Sequence, residues 1–219
     1  MTTYQIITAG ASRSFPSPHP FLDAGRAEAS AIVIVGNQAG AALKDLANAD
    51  SMTFIAIELG TECLGVHTGE SRGLEGSNVV GFARYRLGSA EPTRLVELVR
   101  QPCTPAPVVQ AARAAFEAAG LQVAVCNDFP GRIVDRLVRP YFNAALRRLD
   151  EGLATADDLD KTLCLGLGYP EGPIGLLERT GVVDHYQVTS ALHLALGQEA
   201  YAPARRAQVA HQRSSQAAT

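Results

Sequence analysis

A tyrosine stands between two arginines in the run Ala83-Arg-Tyr-Arg-Leu87. A phenol has an ordinary pKa of about 10, so it accepts a proton at neutral pH only when a neighbouring cation stabilises the phenolate. Arg84 and Arg86 are the nearest such cations in the sequence. Proton uptake at neutral pH would be open to Tyr85 only with one of these arginines beside it.

The other residues that commonly transfer protons or bind metals are scattered. His67 is the only histidine between the N-terminal loop and the C-terminal region, and it is a second candidate base. Because metal sites need clustered ligands, we predict no metal site and four free, reduced thiols. The residues concerned are His19, His67, His185, His193 and His211, with Cys63, Cys103, Cys126 and Cys164.

The glycines near the first strands do not form the Gly-x-Gly-x-x-Gly turn that cradles a pyrophosphate. One candidate turn, Thr8-Ala-Gly-Ala-Ser12, has a single glycine. The other, Val35-Gly-Asn-Gln-Ala-Gly40, follows an apolar run but spaces its glycines four apart. The glycines of these turns are also explained as residues that end a strand or begin a helix. They therefore indicate phosphate binding only weakly.

Composition limits the class of protein. The 219 residues are 47% hydrophobic, with a formal net charge of −3 and a pI of about 5.9. No block of Lys and Arg marks a nucleic-acid surface, and no apolar stretch reaches the roughly 18 residues that span a bilayer. The start lacks a basic segment followed by an apolar run. We predict a soluble cytoplasmic protein that binds neither nucleic acid nor membrane.

The first half of the chain alternates apolar strand signals with helix signals, which favours an α/β layer with a parallel sheet. A loop is predicted over residues 14–20, where three prolines occur, and a helix over 39–49. The predicted strands are Tyr4–Thr8, Ala31–Val35, Met52–Ile57, Val79–Phe82, Leu95–Val99 and Val123–Val125.

A proline-rich stretch, residues 101–107, predicts a boundary between a reduced Rossmann-like domain, 1–101, and a helical domain, 102–219. Thr104 is the expected cap of a helix over 108–119. A long helix is predicted from Ile133, kinked at Pro140. Its apolar face is predicted to hold Ile133, Leu137, Tyr141, Ala144 and Ala145.

Further helices are predicted towards the C-terminus. Thr155 and Asp158 resemble a capping box, Pro173 suits a first helical turn, and a helix is predicted over 183–196. The tail from Ala202 is predicted to fray.

One stretch carries a specific motif. It reads Asp128-Phe-Pro-Gly-Arg-Ile-Val-Asp-Arg-Leu137, then Pro140-Tyr141, then Gly168-Tyr-Pro-Glu-Gly-Pro173 and Leu176-Leu177. It resembles the C-terminal helical domain of the 3-hydroxyacyl-CoA dehydrogenase family, with D-x-P-G-F-I-V-N-R-L and G-x-G-Y-P-x-G-P-F-x-L. The resemblance is strong over residues 95–200, weak over 31–94 and absent over 1–30. It implies a reduced Rossmann-like parallel sheet followed by an all-α domain like that of 6-phosphogluconate dehydrogenase.

The resemblance also implies site residues. The family pairs a histidine base with a glutamate twelve residues later, and Glu97 in Leu95-Val-Glu-Leu-Val99 matches the glutamate. The histidine's place falls on Tyr85 by count, or on Ala83 if Val80-Gly81 anchors the alignment. The family's substrate-side asparagine is replaced by Asp135, which lacks the amide donor and adds a negative charge. Without its histidine, Glu97 is alternatively expected to pair with a nearby arginine.

Three functions follow as expectations. The first is a 3-hydroxyacyl-CoA dehydrogenase that passes a hydride to NAD with substituted groups. The second, which the combined losses favour, is a relative with impaired or lost catalysis that serves as an acyl-CoA-binding or dimerisation subunit. The third is a reduced copy that acts beside a full-length dehydrogenase. No bound cofactor is expected, NAD being implied by the resemblance only, and a homodimer through the helical domain is expected.

Overall fold

The computed structural model describes residues 2–217 and divides the chain into two compact units. The first contains the residues up to Arg86 together with Pro92–Ile133. The second contains Leu87–Glu91 and the residues from Val134 onwards. Within residues 2–217, no helix combines the length and the hydropathy needed to cross a bilayer.

The first unit is built on a six-stranded sheet whose strands lie side by side in chain order. Strands β1 to β4 are parallel, β5 runs antiparallel to β4, and β6 is parallel to β5. The α/β reduced Rossmann-like class is thus confirmed, with one reversal between β4 and β5. The strands are β1 (Tyr4–Thr8), β2 (Ala31–Val35), β3 (Ile55–Glu58), β4 (Val79–Arg84), β5 (Leu95–Arg100) and β6 (Gln122–Asn127).

Both faces of this sheet are covered, which explains why its central strands are continuous β-branched runs. Every residue of β2, β3 and β4 is buried. One face packs stacked aromatic rings, with Phe21 and Phe116 centroids 4.6 Å apart. The other face packs isoleucines such as Ile34 and Ile57. The helices of the unit are α1 (Pro20–Asp23), α2 (Ala39–Lys44), α3 (Gly65–Thr68) and α4 (Ala106–Ala118).

Three details of the first unit differ from the sequence predictions. The helix predicted over 39–49 ends at Lys44. Thr104 does not cap α4, because its hydroxyl accepts the Gln101 N–H and Pro105 precedes the first turn instead. The unit also extends past residue 101 to Ile133, since α4 packs on the sheet and β6 pairs with β5.

The second unit is helical, as predicted for the C-terminal region. Thr155 accepts the Asp158 N–H as the capping box requires, and Pro173 begins its helix. The left-handed Gly168 (φ 71°) ends the preceding helix, a conformation that glycine adopts without strain. The helices are α5 (Val134–Asp150), α6 (Ala156–Leu167), α7 (Pro173–Thr180), α8 (Val182–Leu196) and α9 (Arg205–Ala217).

The predicted face of α5 is wrong. Leu137 and Ala144 are exposed, whereas Arg139, Phe142 and Asn143 are buried. Two of these buried residues, Arg139 and Asn143, are polar and both hydrogen-bond His185 inside the unit, so apolar periodicity could not identify them. The predicted frayed tail is also wrong, because Arg205–Ala217 forms α9; the last two residues of that tail lie outside the described residues.

Candidate functional site

The β4–β5 ladder decides which residue faces Glu97. In this antiparallel pair Ala83 lies directly opposite Glu97, and Arg84 opposite Val96. Directly opposite residues point to the same face with Cβ atoms about 5 Å apart. Tyr85 follows the last residue of β4, so the predicted candidates Glu97 and Tyr85 are not a directly facing pair. The residue across from the carboxylate is an alanine.

Glu97 itself is paired with the motif that follows β6. Its side chain is 2% exposed; one carboxylate oxygen accepts the Ile133 N–H at 2.8 Å, and the other lies 3.4 Å from Arg132 Nε. Arg132 adopts a left-handed backbone (φ 51°), which costs a non-glycine residue energy unless its surroundings hold it. The carboxylate therefore holds the turn that begins the long helix, and the alternative role expected for Glu97, pairing with an arginine, is the one observed.

The arginine before Tyr85 is engaged elsewhere. The Arg84 guanidinium donates to the main-chain oxygens of Ser14, Thr93 and Pro92 at 2.9–3.1 Å and stacks over the Phe15 ring. These contacts satisfy its donors with neutral carbonyls and fix it in the sheet unit. Its described role is structural, which weakens the case for Arg84 as the cation that activates Tyr85.

The carboxyl ends of β1, β2 and β3 form a small cavity of about 240 Å³. This edge is where parallel sheets commonly bind ligands. Beneath it the buried Glu58 carboxylate accepts hydrogen bonds from Gly36 N–H (2.6 Å), Ser14 N–H (2.7 Å) and the Ser12 hydroxyl (2.7 Å). His67 lies at the rim, with Nε2 3.5 Å from a Glu62 oxygen.

The glycines of this edge do not leave an open cradle. A Cβ added at Gly10 would collide with the Asn37 side chain, and one at Gly40 would collide with the His67 ring. In a dinucleotide site one glycine of the turn lets the backbone approach the pyrophosphate closely. With protein atoms in that space and the Glu58 carboxylate beneath it, the residues present do not fit a pyrophosphate at this edge.

Asp135 lies in the helical unit, where a buried arginine balances its charge. Arg139, on the same face of α5, donates from Nε to an Asp135 oxygen at 2.7 Å and has Nη2 3.9 Å from Asp184. The Arg139 side chain is fully buried. The negative charge of Asp135 is therefore part of an internal ion pair.

The same arginine reaches a buried histidine. Arg139 can only donate, so His185 Nδ1 accepts its Nη1–H at 3.3 Å, and the Nε2–H then donates to Asn143 Oδ1 at 3.0 Å. Burial, helped by the Arg139 charge, lowers the pKa of His185 to about 3. This histidine is held neutral and internal, and it is not a base at an exposed site.

Two of the thiols, those of Cys63 and Cys126, are not activated either. Burial and the Asp128 charge raise the pKa of Cys63 to about 11, and burial with the Glu97 charge does the same for Cys126. All four cysteines are free, and in residues 2–217 no group of three or more His, Cys, Asp or Glu side chains could hold a metal. Nucleophilic cysteine chemistry is disfavoured at both of these positions.

Sequence reasoning missed the residues that partner the candidates. Arg132 and Arg139 both belong to the motif stretch, and Arg139 stands four residues after Asp135, a spacing that places both on one face of a helix. That spacing was a usable signal for the second pair. The Glu97–Arg132 pair joins residues 35 apart and had no local signal.

Comparison with known proteins identifies the helical region. The sequence model "3-hydroxyacyl-CoA dehydrogenase, C-terminal domain" matches residues 131–218. The 3-hydroxybutyryl-CoA dehydrogenase of Bradyrhizobium diazoefficiens is 34% identical over 109 residues, which is 50% of this chain and 37% of that protein. The mitochondrial hydroxyacyl-coenzyme A dehydrogenase of Homo sapiens is 37% identical over 89 residues, covering 41% and 28%. The chain thus matches only about a third of these relatives' length.

Solved structures share the fold. The (S)-3-hydroxybutyryl-CoA dehydrogenase of Ralstonia eutropha superimposes with a TM-score of 0.69 at 21% identity, covering 85% of this chain and 66% of that one. The 3-hydroxybutyryl-CoA dehydrogenase of Escherichia coli gives a TM-score of 0.68 at 24% identity, covering 83% and 39%. These likenesses support the fold of the sheet unit and the helical unit.

The comparisons correct one expectation. We expected no bound cofactor, with NAD implied by the resemblance only, whereas the relatives and structural neighbours are dehydrogenases, whose chemistry is redox chemistry on a cofactor. That expectation is wrong. The residues of this chain at the carboxyl edge of β1–β3 do not fit a pyrophosphate in the way described above.

The expected family resemblance is confirmed by the match over residues 131–218 and by the relatives named above. The residues that specify the helical fold, Pro130-Gly131 and Gly168 to Pro173, stand where the motif requires them. Over residues 131–218 this chain is similar to the C-terminal domain of the 3-hydroxyacyl-CoA dehydrogenase family.

Proposed function

We propose that this chain is a 3-hydroxyacyl-CoA dehydrogenase family protein in which catalysis is impaired or lost. The observation that carries the proposal is the cross-strand pair of Ala83 with Glu97. Oxidation of a 3-hydroxyl requires a group that takes up its proton, and a positioned base contributes roughly 10²–10⁴-fold to such a rate. An alanine methyl group cannot take up a proton.

Two further observations point the same way. Glu97 holds Arg132 and the Ile133 N–H, which is a structural task. Asp135 carries a negative charge bound to Arg139, and a carboxylate beside a developing oxyanion would oppose catalysis rather than stabilise it. On this proposal Glu97, Tyr85 and Asp135 hold the family's site positions without performing its reaction.

The test compares wild type with Glu97→Gln in two measurements. One is the rate of NADH oxidation in the presence of acetoacetyl-CoA, and the other is the melting temperature. We expect the variant to melt at a lower temperature, because a buried ion pair loses one partner. We expect no protein-dependent NADH oxidation from either protein. Glu117→Gln, which alters an exposed pair with Arg113, is the matched control and should change neither quantity.

A wild-type rate that falls a hundredfold or more in Glu97→Gln, at unchanged melting temperature, would contradict the proposal. In that case Glu97 would act on a base, and Tyr85→Phe and His67→Ala would identify which one.

A second candidate function is that of a dimerisation or partner subunit, and α6 favours it. None of the residues of Ala156–Leu167, all of which the structure describes, is buried, and Leu165 is 78% exposed. Exposed apolar clusters of this kind mark association surfaces. We propose that this surface forms a homodimer or takes up a full-length dehydrogenase. The exposed apolar residues on or beside α6 are Leu153, Leu165, Leu167 and Tyr169.

An acyl-CoA ligand remains a proposal for this chain, since the relatives' names specify CoA thioesters as their substrates. Calorimetric titration with acetoacetyl-CoA separates the two candidates. Saturable binding without turnover would support a CoA-ester-binding relative. A dimer that shows no heat with acetoacetyl-CoA would support an assembly role alone.

A further inference from the structure

A groove in the helical unit combines an apolar wall with arginines. It lies between α5, α7 and α9, with a volume of about 390 Å³. An apolar cavity of roughly 150 Å³ holds a benzene ring, so this groove has room for an alkyl chain. Small-molecule sites are typically clefts of roughly 300–1,000 Å³ lined by apolar side chains with a few placed polar groups.

The wall of the groove is aliphatic. Leu146 and Ile174 are buried at its base, and Leu149 and Val182 are partly buried beside them. Val209, on α9, is 39% exposed and lines the open side. A chain of methylene groups would remove this surface from water, and each buried methylene strengthens binding roughly fourfold.

The polar lining carries net positive charge. Arg205 and Arg206 both contact one oxygen of Asp150 at 2.8 Å, so two cations share one carboxylate. Arg213, two turns along α9, has no described partner in residues 2–217, and Glu178 is the remaining carboxylate. Three guanidinium groups against two carboxylates leave one positive charge at the groove.

The placement of these arginines is not explained by helix stability. Arg205 and Arg206 form the first turn of α9, where the helix dipole disfavours cations, and that turn contains no acidic residue. The dipole and the two guanidinium groups therefore add to the same positive potential beside the apolar wall. An anion bound there would be stabilised by both.

We propose that this groove binds a medium-chain alkyl carboxylate, with its chain against the aliphatic wall and its carboxylate beside the α9 arginines. The charge complementarity selects an anion, and the apolar wall selects a chain over a small inorganic ion. A second copy seated symmetrically on the groove would bring the same arginines together, which like-charge repulsion opposes. The site is separate from the β4–β5 pair and does not depend on the proposed loss of catalysis.

Calorimetric titration of the full chain with decanoate, below its micelle concentration, tests the assignment. We expect saturable one-to-one binding, and octanoate should bind roughly tenfold more weakly because it buries two fewer methylenes. Val209→Glu should weaken decanoate binding at least tenfold, since it places a carboxylate in the wall. Arg213→Ala should weaken it severalfold. Leu194→Glu, an exposed leucine of α8 in the same unit, is the matched control and should leave the affinity unchanged.

Four results would overturn the proposal. The first is the absence of decanoate binding to wild type. The second is equal affinity of wild type and Val209→Glu, with circular dichroism showing both folded. The third is binding of 1-decanol as tight as that of decanoate, which would remove the role of charge. Binding to phosphatidylglycerol vesicles in the absence of monomeric decanoate binding would also overturn it, by assigning the surface to a membrane.

Discussion

In the helical unit, the charge of the buried Arg139 is balanced by the carboxylate of Asp135. Arg139 is fully buried, and its Nε bonds Asp135 at 2.7 Å, with Asp184 and His185 as further neighbours. A buried charge without its partner costs about 3–5 kcal/mol, whereas removing both partners of a pair can be nearly neutral. The carboxylate at position 135 is thus a requirement of the helical core.

A double-mutant cycle tests this dependence. We expect Arg139→Met alone to destabilise the protein by about 3–5 kcal/mol, because it leaves the Asp135 carboxylate without its cation. Asp135→Asn with Arg139→Met should recover a large part of that loss, giving a coupling energy of about 1–3 kcal/mol in urea unfolding. The exposed pair Arg113–Glu117 is the control cycle and should give less than about 1 kcal/mol. Additive effects at Asp135 and Arg139 would contradict the account.

The site residues were only partly predictable from sequence. Glu97 could be placed from its motif, and its pairing with an arginine was one of two roles considered. Which residue takes the family histidine's place is open between Tyr85 and Ala83, because the count along the chain does not give the strand register. The ladder shows that Ala83 is the residue opposite Glu97. Register depends on pairing across a sheet, and no local pattern contains that information.

At the scale of the elements, α5 and α8 are joined by a polar network that includes His185. The folded state holds His185 neutral, with its pKa lowered to about 3, whereas the unfolded chain titrates near 6.5. Between these values the unfolded state binds more protons, so stability falls as the pH is lowered. Above pH 6.5 both states are neutral at this residue and the effect vanishes.

Urea unfolding at several pH values measures this network. Between pH 6.5 and pH 4.5 we expect His185 to account for a loss of about 2–3 kcal/mol in the free energy of unfolding. The variant His185→Gln has no titrating imidazole at this position. Its free energy of unfolding should therefore depend less steeply on pH, whatever its stability at pH 7. Parallel pH profiles for wild type and His185→Gln would show that the histidine is not held neutral by its surroundings.

The exposed face of α6 makes a prediction about assembly. Leu165→Glu places a charge at the centre of the apolar surface and should shift a dimer to monomer, because burying an unpaired carboxylate in an interface is costly. Sedimentation velocity measures the change. Leu74→Glu, an equally exposed leucine in the sheet unit, should leave the assembly unaltered. A wild-type protein that sediments as a monomer at all accessible concentrations would exclude the dimer role for α6.

Elements with strong local signals were predicted well. The five-residue run of β2 and the capping box before α6 have the predicted positions, because β-branched runs and caps act through neighbouring residues. The buried face of α5 was not predicted, since it presents Arg139 and Asn143 to His185 and Thr189. The helix α9 was also missed. It is rich in alanine and glutamine and has few large apolar side chains, and its Ala207 is buried through packing within the unit.

At the scale of the whole molecule, the residues that match the family's motif lie in both units. Pro130-Gly131 belongs to the sheet unit, the Gly168–Pro173 segment lies in the helical unit, and the match to the family model extends over residues 131–218. In the sheet unit Glu97 lies opposite Ala83. The sequence alone predicted the family resemblance, while the structure supplied the partners of Glu97 and Asp135.

The most direct test of impaired catalysis is the rate of NADH oxidation by the purified chain with acetoacetyl-CoA at pH 7. We predict no rate that scales with protein concentration, because no proton-transferring side chain lies across from Glu97. A rate that is linear in protein concentration, within the usual enzyme range of roughly 1–10³ s⁻¹, would contradict this account. It would mean that another group has taken over the role of the base.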